Sequence, residues 1–236
     1  MKTEVPPGTA FLWANRLPDA RRDEVRAELQ RGDVVSERLE TRDSAGPIQT
    51  PGAMIHHWVG TVFIPATTLE QVLTLLQDYD HHSIYFSPEV TKSKLVAHAD
   101  GDFKVFYRLT RKKIVTVVLD TDYDVRYERL DAARAQSFSY STRIVEIKDA
   151  GEPFERALSP GNDTGFLWRL YSYWRFQVAD HGVYVQCEAV SLTRDIPTGL
   201  NWLIGPFIES IPRESLEFML RSTRAAVRSG GLHVTQ

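Results

Sequence analysis

The residues whose types carry chemistry fall into four groups, and spacing decides what each can do. At the exit of a helix-like run, Asp78, Asp80, His81 and His82 offer ligand types suited to zinc or iron. A metal site needs three or four convergent ligands backed by further hydrogen bonds, and this spacing does not force convergence. A solvated loop cluster holding no metal is therefore expected. His56 and His57 are adjacent in a β-branched run, so their side chains diverge to opposite faces and serve structure. Asp120, Asp122 and Asp124 alternate along one strand face. Their repulsion predicts an outer, solvated face, or neutralisation by Arg108, Arg126 or Arg143 on neighbouring strands. Tyr140, Arg175, Glu188 and Arg194 could polarise a carbonyl if they turned into a buried pocket, but Arg175 and Glu188 are expected as a cross-strand surface pair.

Nucleophilic catalysis has no identifiable machinery. Cys187, the one cysteine, reads as small core filler without a partner base. A single thiol also excludes an intrachain disulfide framework and any zinc site of two or more thiolates. The GxSxG, Walker A, GxGxxG and HExxH patterns do not occur. No catalytic residue and no cofactor is expected. The 28 basic and 31 acidic side chains leave a net charge of −3, so no global field favours nucleic acid as a partner. No run approaches the roughly 18 apolar residues of an integral membrane segment. The opening MKTEVPPGTAFLWANRL lacks the basic-then-apolar order of a leader, so the chain as written reads as cytoplasmic; an exported chain with its leader removed would read the same.

The elements that must position any site follow from hydrophobic period and punctuation. PDARRDEVRAELQR at 18–31 reads as a short charged helix whose narrow apolar stripe is Val25 and Leu29. A weak strand at 33–42 and a Gly/Pro loop at 43–52 follow. AMIHHWVGTVFI at 53–64 is a strand, and TTLEQVLTLLQ is a helix capped by Thr68 or Thr67 with Glu70 in its first turn. Then come strand-like runs at 90–97, 102–111, 113–127, 136–147, 166–179 and 183–194, joined antiparallel where turns such as Asp100-Gly101 and His181-Gly182 are short. A two-residue turn in the last hairpin puts Trp174, Phe176 and Val178 on one face with Val183, Val185, Cys187 and Ala189. That face sets small Cys187, Ala189 and Ser191 against bulky Trp168 and Trp174, which is either tight packing or a cavity wall. A final helix is expected from Ser210 as N-cap, with Pro212 in its first turn and a stripe of Leu216, Met219, Leu220, Thr223 and Val227 ended by Gly230-Gly231. A separate shorter turn at 200–209 is expected to end at Gly205-Pro206.

This order of strand, helix, DYDHHSIYFSPEV, antiparallel strands and closing helix resembles the START-like helix-grip fold of the SRPBCC superfamily. Members include StAR-related lipid-transfer domains, birch-pollen-allergen-like proteins, polyketide cyclase/aromatases and coenzyme Q-binding proteins. PATTLEQVLTLLQDYDHHSIYFSPEV at 65–90, YWRFQVADHGVYVQCEAVSLTRDIP at 173–197 and IPRESLEFMLRSTRAAV at 211–227 carry the resemblance. It covers residues 50–230, leaving 1–49 as an extension with a short helix and 231–236 as a tail.

The resemblance implies an α+β fold, a curved antiparallel sheet wrapped around a long C-terminal helix, with a deep, mostly apolar cavity between them. It implies binding or transfer of a lipid-like or other hydrophobic small molecule. Within such a cavity, face parity nominates Tyr107, Tyr140, Trp168 and Trp174 on the sheet, and Met219 and Thr223 on the helix, as ligand-binding residues. Two other functions fit the same pattern. One is a polyketide cyclase/aromatase-like enzyme on a small cyclic substrate, needing inward polar groups at the closed end. The other is an interaction module that uses Trp202, Leu203, Ile204 and Phe207 for transient membrane contact or protein docking, although burial of this cluster as a cavity cap is favoured. The stretch 148–165 is too long for an ordinary hairpin and reads as a lid or a mobile loop.

Overall fold

The structure, a computed structural model, describes residues 10–112, 116–159, 161–195 and 201–231, the part 201–209 by its backbone alone. After a 3-10 turn at Trp13–Arg16 come α1 (Asp19–Arg31), β1 (Val35–Arg38) and the two-residue strands β2 (Arg42–Asp43) and β3 (Gly46–Pro47), which pair with each other. Next are β4 (Ala53–Pro65), α2 (Leu69–Gln77), α3 (His82–Tyr85), β5 (Val90–Ala99), β6 (Asp102–Lys112), β7 (Thr116–Arg129) and β8 (Arg134–Lys148). The chain continues through β9 (Arg156–Ala157), β10 (Arg169–Ala179), β11 (Gly182–Arg194) and α4 (Asn201–Arg228). The main sheet runs β1-β4-β11-β10-β8-β7-β6-β5, with β9 added to β8, and its pairs are antiparallel. One face of this sheet receives α2 and α4: the helix-grip fold.

Local chemistry accounts for most boundaries. Thr68 Oγ1 accepts from the Gln71 backbone N–H at 3.2 Å while Gln71 Oε1 accepts from the Thr68 N–H at 2.9 Å, a reciprocal cap that fixes the start of α2. The β10–β11 hairpin closes on Asp180 and His181, both in the left-handed region, as a two-residue turn requires. Its register opposes Trp174 to Cys187 and Phe176 to Val185, the facing expected from the sequence. Bulges shift the β5–β6 and β7–β8 registers, and bulges increase local twist and bend the strands.

Two expectations differ from the outcome. The C-terminal helix is one continuous element from Asn201, passing through Gly205-Pro206, with Ser210 and Pro212 inside it rather than at its start. A proline ring fixes φ at a helical value, so in a helix it costs a hydrogen bond and some crowding rather than forbidding the conformation. Strand β10 begins at Arg169 rather than 166, which removes Trp168 from the pleat.

Two apolar layers hold the sheet. Val62, Ile64, Phe176, Val183 and Val185 pack with Leu69, Val72, Leu216 and Leu220 on the helix side. On the other side Val59, Phe63 and Tyr184 pack with Leu12, Trp13, Val25 and Leu29, so the short charged helix is seated through the stripe its sequence carries. The tightest backbone approach lies at the hairpin: a Cβ on Gly182 would stand 2.3 Å from the Ile64 carbonyl oxygen. Gly182→Ala must therefore move backbone, and is expected to cost about 1–3 kcal/mol in urea unfolding; an unchanged midpoint would contradict this close approach.

Candidate functional site

A cavity of about 610 Å³ separates the sheet from α4. Its existence follows from side-chain size. Where β8, β10 and β11 cross the middle of the sheet, the inward residues are Ser137, Ser139, Ser172, Cys187, Ala189 and Ser191, all too short to reach the helix. Trp58 and Trp174 stand at the sides, and Ile211, Leu216 and Met219 of α4 form the roof. The volume lies within the range of about 300–1,000 Å³ typical of small-molecule sites, and the lining is mostly aliphatic and aromatic.

The inner end, towards the β7–β8 turn, carries a neutral polar cluster. His82 Nε2 donates to the Leu75 carbonyl at 3.3 Å, which leaves Nδ1 to accept from the Tyr107 hydroxyl at 2.7 Å. Burial pushes His82 down to about 4, so the ring is neutral at pH 7, and its plane stacks on Tyr107. Tyr79 donates to the Tyr127 hydroxyl at 3.3 Å, and Tyr127 donates to the Leu76 carbonyl at 3.2 Å. Desolvation raises Tyr79 and Tyr107, and pushes Tyr123 and Tyr127 up to about 12. Every one of these phenols keeps its proton.

The opposite end is charged. Arg111 donates to Glu89 and to Ser215, tying the sheet edge to α4. Burial, only partly offset by Arg111, pushes Glu89 up to about 7. Arg194 lies over the Trp168 ring at 5.7 Å and 3.4 Å from Asp163. Thr164 to Leu167 form wall at this end. The earlier part of the same loop is held on the sheet's other face: Glu155 accepts from Arg108 at 2.8 and 3.0 Å, and Arg108 also pairs with Asp120 at 2.7 Å. Thus one arm of the stretch read as a lid or mobile loop is pinned and the other lines the cavity.

Of the residues nominated from sequence, Tyr107, Trp174 and Met219 line the cavity. Tyr140 lies on the outer face, with its ring centroid 5.3 Å from that of Tyr171 and 6.0 Å from that of Tyr173. Tyr140 alternates with the inward Ser137 and Ser139 and pairs with Asp124 and Tyr171, so its parity faces outward; the register shift, between Ser141 and Arg143, reverses parity only beyond it. Trp168 lies outside the cavity, its indole N–H donating to Asp163 at 3.3 Å. Thr223 is wholly buried one turn beyond Met219, its hydroxyl donating to the Met219 carbonyl at 2.8 Å, where α4 packs directly on the sheet. His82, Tyr79, Tyr127 and Ser137 went unnominated; for Tyr127 and Ser137 the parity of β7 and β8 was the available signal.

The other chemical groups resolve locally. Asp78 accepts from His81 and Tyr85, Asp80 accepts from the Leu95 N–H, and His82 turns into the cavity wall, so only Asp78 and His81 meet and the four do not converge on one point. His56 meets Thr193 at 3.0 Å on one face and His57 meets Glu188 at 2.9 Å on the other. Asp120, Asp122 and Asp124 pair with Arg108, Arg143 and Lys104, whereas Arg126 turns to Asp102 and Glu128. The expected Arg175–Glu188 surface pair is not formed as such. Glu188 is bound to His57, and Arg175 is 8% exposed, opposite Gln186 and 6.0 Å from the Phe11 ring, because residues 10–17 cover this face. Neither reaches the cavity. Trp202, Leu203, Ile204 and Phe207 lie outside the described side chains, and Val115 outside the described residues. Among the described residues no helix is long and apolar enough to cross a membrane.

No protein-family model matches the sequence, and no curated protein matches it. Solved structures do match in fold. TTHA0849 from Thermus thermophilus is 16% identical with a TM-score of 0.52, over 72% of this chain and 96% of that one. A STAR-related lipid transfer protein from Xanthomonas axonopodis is 17% identical with a TM-score of 0.50, over 81% of this chain and 98% of that fragment. The chain therefore shares its helix-grip fold with these structures.

Proposed function

We propose that this START-like chain binds or transfers a lipid-like or other hydrophobic small molecule in the cavity between its sheet and α4. The observation carrying this reading is the void itself: about 610 Å³ behind a predominantly apolar wall, where close packing would be the rule in a protein interior. The likeness to a STAR-related lipid transfer protein supports it at the level of fold. A guest burying on the order of 300 Å² of apolar surface gains roughly 7 kcal/mol before association costs, a driving force for binding that needs no catalytic step. In this reading Tyr107, Trp174 and Met219 contact the guest. Residues 50–230 form the binding unit, and the described part of the 1–49 extension adds β1 to the sheet and seats α1 against its outer face.

Native mass spectrometry of untreated protein, followed by solvent extraction, is expected to release an amphiphile. Uptake of that molecule is expected to fall in Trp174→Ala and in Met219→Ala. Uptake unchanged in both variants would refute the assigned wall.

A further inference from the structure

We infer that the inner end of the cavity recognises a neutral hydroxyl group on its guest, through the hydroxyl of Ser137 with the phenol oxygens beside it. This rests on the cavity being a binding site and adds the chemistry of what enters it. Ser137 lines the cavity, is 1% exposed, and its Oγ makes no hydrogen bond of ordinary geometry, although the Tyr127 hydroxyl stands near enough to interact with it. Its cross-strand neighbours are Tyr127 on one side and Trp174 on the other. A buried hydroxyl without a partner is costly, and such groups in native proteins call for an explanation.

The directions of the neighbouring protons state what is missing. Tyr127 spends its proton on the Leu76 carbonyl, Tyr79 on Tyr127, and Tyr107 on His82. Tyr127 already accepts from Tyr79, yet each phenol oxygen retains accepting capacity beyond the bonds named, and Ser137 has a proton to give. A guest hydroxyl supplies both halves: it accepts from Ser137 and donates to a phenol oxygen. A ketone would satisfy only the first. A carboxylate fits worst, because His82 is neutral, the tyrosines are protonated, and the arginines lining the cavity, Arg111 and Arg194, belong to the opposite end. An anionic guest would therefore seat its charge at that far end and turn its apolar part inward.

The test uses the full chain and three probes of one shape: 2-naphthol, 2-methylnaphthalene and 2-naphthoate. Each is titrated calorimetrically into the parent protein and into Ser137→Ala, with unfolding midpoints measured alongside. Ser137→Ala is expected to weaken 2-naphthol by about three- to tenfold and to leave 2-methylnaphthalene and 2-naphthoate within twofold. An equal response of 2-naphthol and 2-methylnaphthalene, or a loss for 2-naphthoate as large as that for 2-naphthol, overturns the hydroxyl assignment while the cavity remains a binding site. Failure of both neutral probes to bind the parent protein overturns the cavity reading, and this inference with it.

Discussion

Ala189→Trp is expected to abolish uptake of an apolar guest while leaving the fold intact. Ala189 lines the cavity on β11, opposite Trp58 on β4 and Ser172 on β10, so an indole there projects into the void rather than into packed side chains. Excluding even about 100 Å² of guest surface removes ~2.5 kcal/mol, or roughly sixtyfold in affinity. Filling a void commonly stabilises a protein by about 0.5–2 kcal/mol, so the unfolding midpoint should hold or rise. The measurement is titration of the parent and variant with 2-methylnaphthalene, paired with thermal unfolding. A folded variant that binds as tightly as the parent would mean that the guest sits elsewhere.

The second large effect is a loss of stability on acidification, carried by His82. Its ordinary value is 6.5 and burial pushes it to about 4 in the native state. Between those limits the unfolded chain binds a proton that the folded chain does not, so stability falls as pH falls. The difference amounts to ~3 kcal/mol, fully expressed by about pH 4 and absent above pH 7. His82→Gln keeps a donor for the Leu75 carbonyl and an acceptor for Tyr107 without titrating. At pH 7 the variant should be less stable by about 1–2 kcal/mol, from imperfect replacement of buried hydrogen bonds. By pH 4 that gap should close or reverse. Urea unfolding at pH 7, 5.5 and 4 checks this, because carboxylates common to both proteins cancel in the difference. Parallel pH profiles would show that His82 does not titrate as a buried neutral ring. The consequence reaches function, since His82, Tyr107 and the wall they build share one proton arrangement.

The charged end and the neutral end give the cavity a polarity along its length. Arg111, tied to Glu89 and Ser215, connects the sheet edge to α4. An amphiphile oriented by this asymmetry would meet charge at one end and Ser137 at the other, with small side chains along the middle.

What the sequence determined by itself was local. Period-two alternation, β-branched runs and short turns set the order of strands, and the two-residue turn at Asp180-His181 set which face of β11 meets Trp174. Thr68 and Gln71 wrote the start of α2, and the alternating aspartates required cations that the flanking strands supply. These outcomes depend on neighbours within a few residues or on the adjacent strand, and side-chain type and period carry that information.

Only the tertiary structure decided where the inner face is hollow. Tyr107 and Thr223 each belong to an inward face, yet one borders the void and the other is packed solid, because the gap depends on side chains brought together from β8, β10, β11 and α4. The register of β8 against β7 and β10 placed Tyr140 outside, and a strand beginning three residues later than its composition implied removed Trp168 from the wall. Short side chains on three strands leave space only if the helix above them is held off by larger ones at either side. That is a sum of volumes over distant segments, which no local period encodes.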